Sequence, residues 1–135
     1  MEILVDSNVI LDVLTEDRDW FAWSAGMLER RAQTDILCIN PIIYSEVSIS
    51  FSRIEELEGA LPESLFRRRP IPWPAAFLAG KCFELYRRRG GAKRSPLPDF
   101  FIGAHASVMK MPLITRDAAR YHTYFPQLQL IAPDK

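Results

Sequence analysis

Ile3-Leu4-Val5 runs straight into Asp6, and from Val9 onward the apolar residues fall at helical spacing. A short apolar run without polar alternation suits a strand covered on both faces, as in a parallel sheet. Asp6 then stands at the carboxyl end of that strand, the edge where open α/β sheets build their sites. A chain that begins this way needs crossover connections, with helices to cover the two faces of the sheet.

The remaining pattern supplies them. Asn8 to Leu14 carries Val9, Ile10, Val13 and Leu14 on a helix that Asn8 or Ser7 can cap. Trp20 to Ala32 reads as a second helix with two apolar stripes. Phe21, Ala25, Leu28 and Ala32 form the stripe expected to face the core; Trp20, Trp23 and Met27 form the other. Ile36 to Ile39 is a second buried strand, and Pro41 opens a helix running to Phe51. Ile54 to Leu61 is a further helix, Phe66 to Pro74 a proline-rich loop, and Ala75 to Arg89 a long helix ended by Gly90-Gly91. A basic connection, Ala92 to Leu97, leads to a helix from Pro98-Asp99 to about Lys110. Leu113 to Thr115 is a third strand, Asp117 starts a short helix, and Leu128 to Ile131 is a last strand. Strands alternating with helices predict an α/β fold, a parallel sheet flanked by helices on both sides.

The 135 residues suit one domain over the whole chain, and 48% apolar residues are enough for a core, which argues against disorder. Lys plus Arg and Asp plus Glu are both 17, so net charge points to no partner and only the local distribution of charge can. Cys38 and Cys82 are isolated from each other and from histidines at ligand spacing, and read as reduced packing residues of a cytosolic protein. No stretch approaches the ~20 apolar residues of a membrane span, and no secretory leader pattern opens the chain.

Four acids stand at element ends or on inward faces. Asp6 and Asp117 follow apolar strands, Asp99 opens a helix, and Glu46 falls among Ile42, Ile43 and Ile49 at ~100° per residue on a helical wheel. Each has an ordinary structural alternative: a turn or cap for Asp6, a buried pair with an arginine for Glu46, the helix dipole for Asp99, an N-cap for Asp117. In a parallel sheet, however, Asp6 and Asp117 share one rim. Four carboxylates gathered there repel one another, and a hard divalent cation with oxygen ligands, Mg²⁺ or Mn²⁺, relieves the conflict. Such an ion can activate water for displacement at a phosphodiester.

Taken in order, Val5-Asp6-Ser7-Asn8, Tyr44-Ser45-Glu46, Pro98-Asp99-Phe-Phe-Ile-Gly-Ala-His-Ala and Leu-Ile-Thr115-Arg116-Asp117 resemble a PIN domain, and the length is similar to the VapC-type ribonuclease toxins of type II toxin–antitoxin systems. The resemblance covers essentially the whole chain. It implies a three-layer α/β/α sandwich around a five-stranded parallel sheet. It also implies Mg²⁺ or Mn²⁺ held by Asp6, Glu46, Asp99 and Asp117. Ser7 keeps the hydroxyl of a position that more often holds Thr, and Asn8 and Thr115 match positions that support the site. Further implications are endonucleolytic cleavage of RNA to 5′-phosphate and 3′-hydroxyl ends, inhibition of translation, a homodimer, and neutralisation by a cognate antitoxin. Some relatives carry a further acid two residues after Asp117, where this chain has Ala119, which weakens the expectation of a second ion.

An acidic site needs cations to draw RNA in. Lys93 and Arg94, just before Asp99, are the favoured phosphate contacts; Arg67 to Arg69 and Arg87 to Arg89 are further candidates, the latter also suited to complement a helix terminus. His105 and His122 are expected to be structural, and the Trp20, Trp23 and Met27 stripe is expected to line a protein-binding groove. Two rival readings remain. A phosphatase-like hydrolase would use Asp6 as nucleophile but would want an acid where Asn8 stands. A non-catalytic interaction module would keep the fold, although the presence of all four acids argues against it.

Overall fold

The computed structural model describes residues 1–91 and 97–134. In chain order these form β1 (Glu2–Val5), α1 (Ser7–Leu14), α2 (Phe21–Thr34), β2 (Ile36–Ile39), α3 (Pro41–Ser48) and α4 (Ile54–Ala60). Then follow β3 (Arg67–Arg68), α5 (Trp73–Arg88), α6 (Leu97–Met109), β4 (Leu113–Ile114), α7 (Ala119–His122) and β5 (Leu130–Ile131). The strands make one sheet in the order β3-β2-β1-β4-β5, every neighbouring pair parallel.

That order explains why β1 reads as an unbroken apolar run. It is the central strand, and Ile3, Leu4 and Val5 have no solvent exposure. Each such side chain contributes about 1.5–3 kcal/mol when buried. From β1 the chain first travels through β2 to β3, then returns past β1 to β4 and β5. With right-handed crossovers, the helices of the outward journey cover one face and those of the return cover the other, giving a three-layer α/β/α sandwich. The direction reverses between β1 and β4, so the carboxyl ends of these two strands border the topological switch point.

Several boundaries differ from the sequence reading. Arg67–Arg68 lies within the expected loop but pairs with Cys38 and Ile39 as the edge strand, the fifth of the sheet. A two-residue strand of arginines carries no apolar signal, because one side of an edge faces solvent. The helix expected to reach Phe51 stops at Ser48, where the Ser48 hydroxyl bonds the Ser45 carbonyl and the next amides bond three residues back. Asp6, rather than Ser7 or Asn8, caps α1, its carboxylate accepting the Ser7 N–H. The short helix begins at Ala119 rather than Asp117, and Ala118 at its N-cap makes no side-chain bond.

The two stripes of α2 do not divide as expected, although Leu28 does pack against the core. Trp23 and Met27 pack against the core, whereas Phe21 is 39% exposed. The rotation of the helix is fixed by Ser24, fully buried, whose hydroxyl donates to the buried Asp12 of α1 at 2.8 Å. Ala25, Leu28 and Ala32 instead line an open apolar groove of about 450 Å³ shared with α1 and with Ala60, Leu65 and Phe66.

On the opposite face α5 packs along α6 through Phe83, Tyr86 and Phe100, with Tyr124 closing the cluster. Gly103 of α6 has no side chain because the Phe125 ring lies on it: an added Cβ would stand 2.6 Å from Phe125 Cδ2. Phe125 is buried and has little room to withdraw. We therefore expect Gly103→Ala to lose about 1–3 kcal/mol, the ordinary cost of overpacking. Urea unfolding measures it, and a loss below ~0.5 kcal/mol would show that the ring moves aside freely.

Candidate acidic site

The site begins with Asp6, 1% exposed at the end of the central strand. A buried carboxylate needs compensation, and here it comes from neutral donors. Oδ1 accepts the Ser7 N–H at 2.8 Å. Oδ2 accepts the hydroxyls of Thr115 and Tyr121, both at 2.8 Å. Burial nonetheless raises the Asp6 pKa, with the bonds from Tyr121, Thr115 and Ser7 opposing it. Tyr121 is fully buried, and its own ionisation is pushed well above the usual range by burial and by Asp6 and Asp99.

The neighbouring polar residues tie separate elements to this acid. Ser7 Oγ donates to Glu46 Oε1 at 2.6 Å, joining α1 to α3. Asn8 Nδ2 donates to Thr115 Oγ1 at 3.3 Å, and Asn8 Oδ1 accepts the Arg116 N–H at 3.4 Å. Thr115 Oγ1 also accepts the Asp117 N–H at 3.1 Å. Ser7, Asn8 and Thr115 thus each touch an acid or the loop that carries one.

Glu46 is half-buried, and its pKa is raised by burial and by Asp6 against the Ser7 bond. Asp99, in the first turn of α6, is pushed up to about 6. Burial is the main cause; Asp6, Glu46 and Asp117 add to it, and Arg120 opposes. Asp99 therefore stands near enough to feel the other three predicted acids. Arg120 Nε lies 2.8 Å from Asp117 Oδ2, and Nη1 lies 3.6 Å from Asp99 Oδ1. As arranged, no group of three or more His, Cys, Asp or Glu side chains among the described residues is gathered closely enough to hold an ion. The acids are electrostatic neighbours, with a guanidinium between two of them.

The donor set still fits a hard cation. All four groups offer oxygen, three are raised by burial, Glu46 and Asp99 also by neighbouring carboxylates, and one arginine does not return Asp99 to its ordinary range. Asp6 Oδ1 accepts one bond and Oδ2 two, so its free lone pair is on Oδ1.

The sequence reading missed four residues here: Tyr121, Arg120, Asp12 and Arg116. Arg116 Nε and Nη2 grip Asp12 at 2.8 and 3.0 Å, and its guanidinium stacks over Trp20. Asp12 carried the signal that exposed Glu46, an acid beside apolar residues of a helix. Tyr121 and Arg120 lie in a four-residue helix with no pattern to place them.

The predicted cations fare differently. Lys93 and Arg94 lie outside the described residues. Arg68 pairs with Glu58 and Glu63, and Arg69 with Glu2 at the amino end of β1, away from the Asp6 rim. Arg87 and Arg89 stay exposed over Phe83 and Tyr124, while Arg88 pairs with Glu84. His105 is buried with Nδ1 2.9 Å from Asn40 Nδ2. Asn40 Oδ1 is already occupied by the Ile43 N–H, so the amide donates and His105 accepts.

The description "PIN domain" fits residues 3–126 of the chain. Comparison with curated proteins found no significant match. Among solved structures, VapBC2 from Rickettsia felis bound to a promoter DNA fragment matches with TM-score 0.73 and 18% identity, over 98% of each chain. VapBC-1 from nontypeable Haemophilus influenzae matches with the same score, identity and coverage. FitAcB from Neisseria gonorrhoeae matches with TM-score 0.69 and 19% identity, over 97% of this chain and 96% of that one.

The raised Asp99 pKa makes a stability prediction. Folded Asp99 keeps its proton to about 6 against an ordinary 3.8, so the folded state binds protons more tightly than the unfolded chain. Stability is therefore lost as pH rises through that window, by up to about 3 kcal/mol. With divalent ions chelated, Asp99→Asn should be more stable than wild type at pH 7.5 by about 1–3 kcal/mol and close to it at pH 3.5. Thermal melts at the two pH values measure this; equal stability at pH 7.5 would contradict it.

Proposed function

The chain belongs to the PIN domain family, and from that premise we propose that it is a Mg²⁺- or Mn²⁺-dependent endoribonuclease, a VapC-type toxin. The observation that supports this reading is half-buried Asp99, which feels the charges of Asp6, Glu46 and Asp117 against a single arginine, Arg120. The four acids would hold the ion. A divalent cation held there supplies Lewis acidity and neutralises the carboxylates.

The chain's own residues supply the order. Thr115 and Tyr121 fix the rotamer of Asp6 through Oδ2, and Oδ1, which accepts only the Ser7 N–H, keeps a free lone pair. Ser7 orients Glu46, and Asn8 clamps the loop that carries Asp117. One of the four carboxylates accepts the proton of the attacking water. The phosphatase-like alternative is disfavoured because it would want an acid where Asn8 stands, and Asn8 is engaged with Thr115.

The structural neighbours are toxin–antitoxin complexes, which supports a cognate antitoxin as partner. Its apolar segment would lie in the groove lined by Leu14, Leu28 and Leu65 rather than on Trp23, which packs on the core. The homodimer implied by the family resemblance belongs to the same proposal.

Purified protein should cleave RNA with Mn²⁺ and stop when the ion is chelated, and Asp6→Asn or Asp99→Asn should lose at least about 100-fold. Cleavage that persists in chelator, or in both variants, would refute the metal-dependent assignment, and no cleavage with Mn²⁺ would leave an interaction module. Leu14→Asp, at a 37% exposed position, should fold normally and lose antitoxin in co-purification, whereas Trp23→Asp should lose stability. Retained antitoxin in folded Leu14→Asp would remove the groove.

A further inference from the structure

Arg120 is the cation that acts on Asp6, Glu46 and Asp99 alike, and it contacts Asp99 and Asp117 directly. Its geometry is uneven. The Nε contact with Asp117 is a close hydrogen-bonding distance, but Nη1 stands 3.6 Å from Asp99 with no bond between them. Half of the side chain is exposed, so the guanidinium can leave without opening the core. While it stays, it occupies the space between two carboxylates, and no three acids among the described residues close on a common point. A guanidinium and a divalent cation cannot both hold Asp99 and Asp117, because like charges at such range repel.

We infer that Arg120 exchanges partners: in the free protein its guanidinium bridges Asp99 and Asp117, and in the ion-loaded protein it is released to bind a phosphate of the RNA. The inference rests on the proposed function and adds a substrate contact to it. The planar fork that matches carboxylates also matches a phosphate. Release costs little, since the carboxylates it leaves are neutralised by the ion. The anchor is well placed, because the adjacent Tyr121 is locked onto Asp6 by its hydroxyl, keeping the α7 backbone beside the site.

The two halves move in opposite directions when Arg120 is removed, which an ordinary supporting ion pair would not do. Calorimetric titration of Mn²⁺ into the full chain, without antitoxin or RNA, reads the first half. Steady-state cleavage of a single-stranded RNA oligonucleotide at saturating Mn²⁺ reads the second. Arg120→Ala should bind Mn²⁺ about tenfold more tightly than wild type, yet show a KM for RNA about tenfold higher. Arg120→Lys, which keeps the charge but not the fork, should also bind Mn²⁺ more tightly than wild type.

Weaker or unchanged Mn²⁺ binding in Arg120→Ala would overturn the exchange, as would an unchanged KM. Arg120→Lys indistinguishable from wild type in Mn²⁺ binding would reduce Arg120 to a through-space charge and overturn the bridge. Wild-type protein that takes up no Mn²⁺ would remove the proposed function and this inference together. Wild-type uptake with no change in Arg120→Ala would remove the inference alone.

Discussion

The structure depends on keeping one carboxylate out of water at the end of its central strand. An ionised Asp6 without partners would cost several kcal/mol. Its three donors come from Ser7, Thr115 and Tyr121, residues on the first helix, after the fourth strand and on the last helix. Satisfying this acid therefore fixes how the beginning of the chain meets its end. The backbone reinforces the junction, since the Asp6 N–H donates to the Ile114 carbonyl at 2.9 Å. Fold and site share the same bonds, so a change that loosens the rim also loosens the central strand pair.

Asp12 provides the contrast within one helix. It is as buried as Asp6, but it has a bidentate arginine and a serine hydroxyl, and so its charge is matched at once. A carboxylate retained for structure is expected to look like that, because a buried charge without a counter-charge is strongly destabilising. Asp6, Glu46 and Asp99 are held instead by neutral donors and one half-exposed guanidinium. Their burial without full pairing is a standing electrostatic cost, and such costs concentrate where chemistry is done.

How much of this was legible in the sequence follows from how local each signal was. β1 and β2 were readable because buried parallel strands are written as continuous apolar runs. Glu46 was readable because a charge inside an apolar arc has few explanations. β3 was not, because its pairing comes from its neighbour and its own residues are two arginines. The α2 rotation was misread because aromatic bulk looked like the stripe left over from the core. Ser24 decided the rotation by reaching Asp12, and one buried polar bond outweighed the apparent weight of Phe21. The bonds from Tyr121 and Thr115 to Asp6 span 115 and 109 residues, and no periodicity encodes a contact that long.

The last helix offsets part of the rim's negative charge. Where some relatives of the family that the chain resembles carry a further acid, this chain has exposed Ala119, followed by Arg120. The substitution of a neutral residue and the adjacent arginine change the charge balance in the same direction. Four carboxylates against one guanidinium leave three formal negative charges when all are ionised. The charge that α7 contributes therefore offsets part of the acidic rim, and in the free protein it rests against Asp99 and Asp117 rather than standing unpaired.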